Sequence, residues 1–215
     1  MIELQALSVS YGRTVAIDNI SLKFEVGITG LFGPNGSGKS TLLRTIAGLL
    51  RPTSGSIVVD GQNPRTEDAR ENVGYVGHSP GLYRDLTVRE NLDLFGRLYG
   101  AAPERTGDLL ELFGLGRYAR IRAGELSAGL ARRAGVARAF AHDPGILLLD
   151  EPYANVDDDA AALISRALTE WRGPGRSAIV ATHGAKKVKA FADAGVILRD
   201  GRIVTAGRYR QPAVQ

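Results

Sequence analysis

Apolar and polar positions alternate at the start of the chain, a pattern typical of strands with one buried face. Residues 2–6 form the first alternating run and residues 15–24 form the second, with Gly12 and Arg13 between them. The two runs predict an antiparallel pair of strands joined by a short turn. A third strand is predicted over residues 26–32.

Helical and strand patterns then alternate along the rest of the chain. The predicted helices span residues 40–50, 88–99, 104–113, 128–142, 158–171 and 185–192. Further strands are predicted within residues 51–62 and at 73–77, 145–150, 177–182, 196–198 and 202–205. Strands separated by helices favour a mainly parallel sheet covered on both faces, which is an α/β fold. In the first helix, the predicted buried face consists of Leu42, Leu43, Ile46 and Leu49.

Composition excludes several classes of protein. The 215 residues include no cysteine, which excludes disulfide frameworks and cysteine-ligated metal sites. The strongest apolar run, at residues 146–149, is far too short to cross a membrane. The first residues have neither a basic head nor an apolar region, so we expect a cytoplasmic protein without a cleaved signal. A net charge of +4 favours anionic partners without choosing among nucleotides, nucleic acids and membranes.

A glycine-rich loop joins the third predicted strand to the first predicted helix. It reads GPNGSGKST and consists of Gly33, Pro34, Asn35, Gly36, Ser37, Gly38, Lys39, Ser40 and Thr41. This is the phosphate-binding loop (P-loop) pattern, in which backbone N–H groups and the positive end of the helix face a phosphate. We expect Lys39 to reach the β- and γ-phosphates and Ser40 to ligate Mg²⁺. The pattern predicts a P-loop NTPase core.

Two carboxylates end the buried strand in the sequence ILLLDEP. Ligands bind at the carboxyl edge of a parallel sheet, where Asp150 and Glu151 are expected to lie. Asp150 is suited to hold Mg²⁺ through water, and Glu151 to accept a proton from an attacking water. Taken alone, such a strand end is equally typical of a helix cap, and the P-loop upstream favours the catalytic interpretation.

With these motifs the chain resembles the ATP-binding subunit of ABC transporters along almost its whole length. The distinguishing motif is the signature loop, LSAGL at residues 126–130, which lies between the P-loop and the paired carboxylates. Ser127 is placed to cap the following helix, and Gly129 leaves room for a phosphate near its start. The resemblance implies that this loop touches the γ-phosphate of ATP held by the opposite subunit.

Three more residues match positions of the family. Tyr11 looks like the aromatic residue that stacks on adenine, and Asp157 like the D-loop aspartate. His183 is similar to the switch histidine that contacts the γ-phosphate, and with Glu151 and Lys39 completes the predicted catalytic set. A packing role for Tyr11 and an ordinary surface position for His183 remain open. His142 matches no functional position.

Two residues depart from the family pattern. His78 stands where the family usually has a glutamine that offers oxygen to Mg²⁺ and contacts the membrane subunit. Since magnesium prefers oxygen, we expect His78 to act at the metal through a water or to sense the partner. Leu130 stands at the usual glutamine of the signature loop. We expect these departures to slow ATP turnover rather than abolish it.

The resemblance implies one ABC ATPase domain over residues 1–215. Residues 1–78 and 143–215 would form the β subdomain and P-loop core, and residues 79–142 an inserted helical subdomain. The N-terminal antiparallel strands belong to the former. The cofactors implied are ATP and Mg²⁺.

The resemblance also implies two protein partners. Two ATPase subunits would close head to tail over two ATP molecules, and residues 79–87 with the adjacent helices would receive an integral membrane subunit. The chain would then be peripheral on the inner face of the cell membrane. Apolar side chains at 80–83 favour docking, although a small core under a loop explains them as well. The arginines of 128–142 are expected mostly on a solvated face, and no nucleic-acid partner is predicted.

The expected function is ATP hydrolysis that powers transport through the separate membrane subunit, as an exporter because no regulatory domain follows Gln215. The alternatives are a soluble ABC-type ATPase and a weakly hydrolysing regulatory subunit. The His78 loop and the LSAG signature also resemble the haem-exporter ATPase of cytochrome c maturation. Short ATPases of multidrug, copper-processing and sodium-type exporters are similar, so the cargo stays open.

Overall fold

Strands and helices follow each other along the chain in nearly the predicted order. The computed structural model describes residues 1–209. Its strands are β1 (Ile2–Tyr11), β2 (Thr14–Phe24), β3 (Gly27–Phe32), β4 (Ser54–Val59), β5 (Val73–Val76), β6 (Ile146–Asp150), β7 (Ser177–Thr182), β8 (Ala194–Arg199) and β9 (Arg202–Arg208). Its α-helices are α1 (Lys39–Ile46), α2 (Glu67–Glu71), α3 (Val88–Leu98), α4 (Arg105–Leu112), α5 (Ala128–Ala139), α6 (Asp158–Trp171) and α7 (Ala185–Lys189). Short 3₁₀ turns lie at Gly116–Tyr118 and Ala123–Glu125.

The alternating N-terminal runs pair as predicted. β1 lies antiparallel between β2 and β4 in a three-stranded sheet. One face of β1 is buried through Ile2, Leu4, Leu7 and Val9, which are at most 5% exposed. The period of two holds on either side of an irregularity between Leu4 and Leu7, where Ala6 has φ +47° and is exposed. The bulge moves the buried position from Ala6 to Leu7, so that one face of this sheet still covers the core.

A second sheet has six strands in the order β5-β6-β7-β3-β8-β9. All neighbours are parallel except β8 and β9, which pair antiparallel at one edge. β6 and β7 are buried along their whole length, as expected of parallel strands covered on both faces. The predicted α/β class with a mainly parallel sheet is confirmed.

Separate apolar clusters cover the two faces of this sheet. On one face, α1 packs between the parallel strands and the antiparallel sheet through Leu42, Leu43 and Ile46. On the other face, α5 and α6 join the helices of the 88–112 region in one continuous cluster. Within this cluster, the ring centroid of Phe140 lies 5.3 Å from that of Phe113 and 6.2 Å from that of Trp171. The helical segment thus shares its core with the sheet.

The first helix is shorter than predicted. α1 ends at Ile46, and Leu49, which was expected on its buried face, is 55% exposed. Gly48 has φ +70°, and a Cβ there would lie 2.0 Å from the carbonyl oxygen of Pro64. A glycine in the left-handed region ends a helix in this way. Leu49 is therefore turned out of the core.

The expectation that the arginines of α5 lie mostly on a solvated face is wrong. Arg132 is only 5% exposed, and Arg138 is half-buried with its guanidinium 4.5 Å from the Phe95 ring centroid. Both donate hydrogen bonds to backbone carbonyls of residues 75–78. Their planar guanidinium groups thus supply hydrogen-bond donors to the backbone of β5 and of the loop that follows it.

No helix within residues 1–209 is long and apolar enough to span a bilayer.

His142 makes the stability of the fold depend on pH. Its ring lies 4.6 Å from that of Tyr99, and burial lowers the pKa of His142 to about 4. The unfolded chain, with an ordinary histidine pKa near 6.5, takes up a proton that the folded ring does not. The free energy of unfolding must therefore fall as the pH drops from about 6.5 towards 4.

We expect His142→Phe, which keeps an aromatic ring and removes the titration, to lose less stability over that range. Urea unfolding of both proteins at about pH 7 and about pH 4.5 measures the difference. Equal losses in the two proteins would show that His142 does not carry the effect.

Candidate functional site

The P-loop is held in shape by close backbone contacts. Gly38 precedes α1 with φ +104°, and a Cβ there would lie 2.5 Å from the carbonyl oxygen of Ala16. Lys39 is 6% exposed, and its Nζ donates to the carbonyls of Gly33 at 2.7 Å and Pro34 at 3.0 Å. These bonds hold the ammonium group against the P-loop, where it would contact bound phosphates.

Asp150 and Ser40 meet where β6 ends beside the start of α1. Asp150 is 2% exposed. Burial raises the pKa of its carboxyl, and a hydrogen bond from Ser40 opposes that rise. A hydroxyl and a carboxylate at the edge of the sheet are oxygen donors of the kind that Mg²⁺ prefers.

Glu151 is held through both its backbone conformation and its carboxylate. Its φ is +49°, uncommon for a residue with a side chain. Oε1 accepts from the backbone N of His183 at 2.8 Å and contacts Nδ1 of the same residue at 3.0 Å. Oε2 accepts from Thr182 Oγ1 at 3.0 Å. The two predicted catalytic residues beyond the P-loop are thus in direct contact.

Thr182 did not emerge from sequence reasoning. It is the last residue of β7, and in the parallel register Asp150 of β6 lies opposite Ala181, its neighbour. Its place at the end of a buried strand next to β6 was the only available signal.

One open cavity of about 420 Å³ is lined by predicted site residues from several segments of the chain. The lining residues include most of the P-loop together with His78, Asp150, Glu151 and His183. His78 is exposed and lines the same cavity as Ser40 and Asp150. Within residues 1–209 no group of three or more His, Cys, Asp or Glu could hold a metal by itself. The Ser40 hydroxyl and the single Asp150 carboxylate fit a magnesium ion that is held mainly by phosphates and water.

The signature loop lies outside this cavity. Ser127 caps α5 by accepting a hydrogen bond from the N–H of Leu130 at 3.3 Å, as predicted from its position. A Cβ at Gly129 would lie 2.5 Å from the carbonyl oxygen of Asn155. Gly129 is thus required for packing within the chain as well as for any phosphate contact. Leu130 is partly buried against the core.

Two other predicted nucleotide contacts also stand apart from the cavity. Tyr11 ends β1 and is 46% exposed. Asp157 caps α6, accepting from the N–H of Ala160 at 2.7 Å. The next residue, Asp158, pairs with Lys187 at 2.8 Å. The nucleotide contacts of Tyr11 and Asp157 stay predictions.

Comparison with known proteins identifies the family. The family described as ABC transporter matches residues 17–154. The ABC transporter ATP-binding protein NatA of Bacillus subtilis is 34% identical over 89% of this chain and 81% of its own. The Nod factor export ATP-binding protein I of Cupriavidus metallidurans is 36% identical over 92% of this chain and 68% of its own.

Solved structures agree with this assignment. A dimeric post-hydrolysis state of an ATP-binding cassette bound to ADP and Pi superposes with a TM-score of 0.91 at 28% identity, covering 98% of this chain and 100% of that one. An ATP-binding subunit of an ABC transporter gives a TM-score of 0.89 at 26% identity, covering 97% and 90%. The predicted P-loop NTPase fold is confirmed, and the chain belongs to the ABC transporter family as one of its ATP-binding subunits.

Proposed function

We propose that two copies of this chain, or this chain and a related one, close head to tail over two ATP molecules and drive a separate membrane subunit. The observation that carries the proposal is the division of the site. The P-loop, Asp150, Glu151 and His183 share one cavity, and Ser127 and Gly129 lie outside it. A second subunit would supply that missing wall.

Within one subunit, the P-loop N–H groups and Lys39 would bind the phosphates. Ser40 and Asp150 would hold Mg²⁺, with His78 beside them. Mg²⁺, when bound, would neutralise phosphate charge and fix the β- and γ-phosphates. Burial raises the pKa of Asp150, and a bound cation would favour its ionised form, which suits the carboxyl to that position.

Glu151 would take the proton from the attacking water. Thr182 and the His183 backbone hold its carboxylate by two donated hydrogen bonds, which leaves its orientation little freedom. A base held in one orientation loses less entropy on reaching the transition state. His183 would contact the γ-phosphate from the same place.

The start of α5 would close the site from the other subunit. Ser127 and Gly129 lie at the N-terminal end of a twelve-residue helix, where backbone N–H groups favour an anion. Hydrolysis would then require dimerisation. The dimeric cassette among the solved structures supports this arrangement.

A second surface suits the membrane subunit. A groove of about 290 Å³ lies between the end of α1, β5 and α3, lined by Ala47, Leu49, Arg70, Val73, Tyr75, Phe95, Tyr99, Arg138, Ala139 and His142. Leu49 and Tyr99 are 55% and 42% exposed there, and nearby Tyr83 is 57% exposed. Asn91 holds the Tyr83 segment rigid with hydrogen bonds to its N–H and C=O. Exposed apolar side chains on a rigid groove are typical of a docking site.

Export is the favoured direction, since relatives carry export names. Through the membrane subunit the chain would lie on the inner face of the cell membrane, in the cytoplasm. The membrane subunit would determine which cargo is transported, whether haem or another compound. No nucleic-acid partner is proposed.

Glu151→Gln tests the role of the base. We expect the variant to bind ATP normally and to accumulate as an ATP-bound dimer. Its rate of hydrolysis should be at most about one hundredth of the wild-type rate. Steady-state hydrolysis and size-exclusion chromatography with ATP measure both effects. Glu111→Gln is the control, since Glu111 is exposed on α4 and does not line the cavity. A wild-type rate in Glu151→Gln would exclude Glu151 as the base.

Leu49→Asp and Tyr83→Asp test the docking groove. We expect each to weaken co-purification of the membrane protein encoded beside this chain by about tenfold, because a charge would be buried at an apolar contact. Val204→Asp is the control, since Val204 is 60% exposed on β9 and outside the groove. Equal recovery with all three variants would place the membrane subunit elsewhere.

A further inference from the structure

One face of α5 is dedicated to the loop that carries His78. Arg132, Gly135 and Arg138 recur at three-residue spacing and face residues 75–81. The guanidinium of Arg132 donates to the carbonyl of Gly77 at 2.8 Å and also to the carbonyl of His78. Both peptide units around His78 are therefore bonded to a single side chain.

The next turn of α5 fixes the other side of the loop. A Cβ at Gly135 would lie 2.7 Å from the carbonyl oxygen of Pro80 and 2.8 Å from its Cα. The missing side chain lets the loop backbone lie directly on the helix. His78 is thus held between a hydrogen-bonded contact at Arg132 and a steric contact at Gly135.

Arg132 also brings charge to the site. Burial lowers the pKa of Arg132, and the carboxylates of Asp150 and Glu151 act in the opposite direction. The guanidinium remains charged and lies close enough to Asp150 and Glu151 to interact with both carboxylates. A buried charge bonded to two carbonyls is costly to misplace, which makes the contact rigid.

We propose that Arg132 is a positioning residue that fixes the backbone of His78 and so holds the imidazole on the cavity next to Asp150. The inference rests on the proposed role of His78 at the magnesium position. A planar fork with two donors is needed, because a single ammonium group cannot span two successive carbonyls with the same geometry. The same helix is capped by Ser127, so the loop and the signature motif are joined by one rigid element.

The test uses the full chain and its three histidines. Mn²⁺ with a non-hydrolysable ATP analogue broadens the ring signals of any histidine near the metal. Deuterium exchange in the nucleotide-free protein reports the order of the amides at residues 77–79. The variants are Arg132→Met and Arg132→Lys. Arg138→Met is the matched control, since Arg138 donates to the Tyr75 carbonyl on the same face.

In the wild type we expect Mn²⁺ to broaden His78 and to leave His142 sharp. In Arg132→Met, the broadening of His78 should weaken and exchange at residues 77–79 should be about tenfold faster. The kcat should fall about tenfold with a nearly unchanged KM for ATP, because the P-loop is intact. Arg132→Lys should recover the fold and little of the kcat. Arg138→Met should leave His78 broadening unchanged.

Unchanged exchange at residues 77–79 and unchanged broadening in Arg132→Met would overturn the inference and leave the proposed function standing. Absence of His78 broadening in the wild type would instead remove His78 from the metal site. The positioning role of Arg132 would then be upheld by faster exchange at residues 77–79 and overturned by exchange at the wild-type rate.

Discussion

The parallel register of β3, β6 and β7 is the constraint on which the site depends. Asp150 lies opposite Ala181, and Phe32 opposite Thr182, so three chain segments leave the sheet at one edge. Those segments are the P-loop, the Glu151 turn and the His183 turn. A shift of one residue in either register would turn the alternating side chains to opposite faces and separate Asp150 from Ser40. The apolar clusters on both faces of the sheet therefore stabilise the catalytic geometry along with the fold.

Helix α5 is the second organising element. It begins at the signature loop, contacts the His78 loop through Arg132 and Gly135, and joins the apolar cluster around Phe140. Gly129 packs on Asn155, which leads to the cap of α6 at Asp157. The surfaces expected to face a second subunit are thus connected through one helix to the predicted magnesium position. Motion of α5 would move both together.

Much of this was predictable from sequence, and the exceptions have physical reasons. Short local patterns in the sequence predict the succession of strands, the P-loop, the two carboxylates and the Ser127 cap. The predictions that Leu49 is buried and that Arg132 is solvated are wrong. Helical periodicity identifies the residues of one face and carries no information about what packs against that face. Gly48 ends α1 before Leu49 reaches the core, and the backbone of residues 77–78 offers Arg132 carbonyls in place of water. Thr182 was missed because its role comes from strand pairing between distant segments.

In the proposed dimer, each ATP site combines the P-loop of one subunit with Ser127 of the other. Mixing two inactive variants tests it directly: Lys39→Ala lacks the phosphate contact, and Ser127→Arg blocks the signature loop. A mixed dimer retains one intact composite site, so the equimolar mixture should recover about a quarter of the wild-type ATPase rate. A mixture no more active than either variant alone would show that the two subunits do not share their ATP sites.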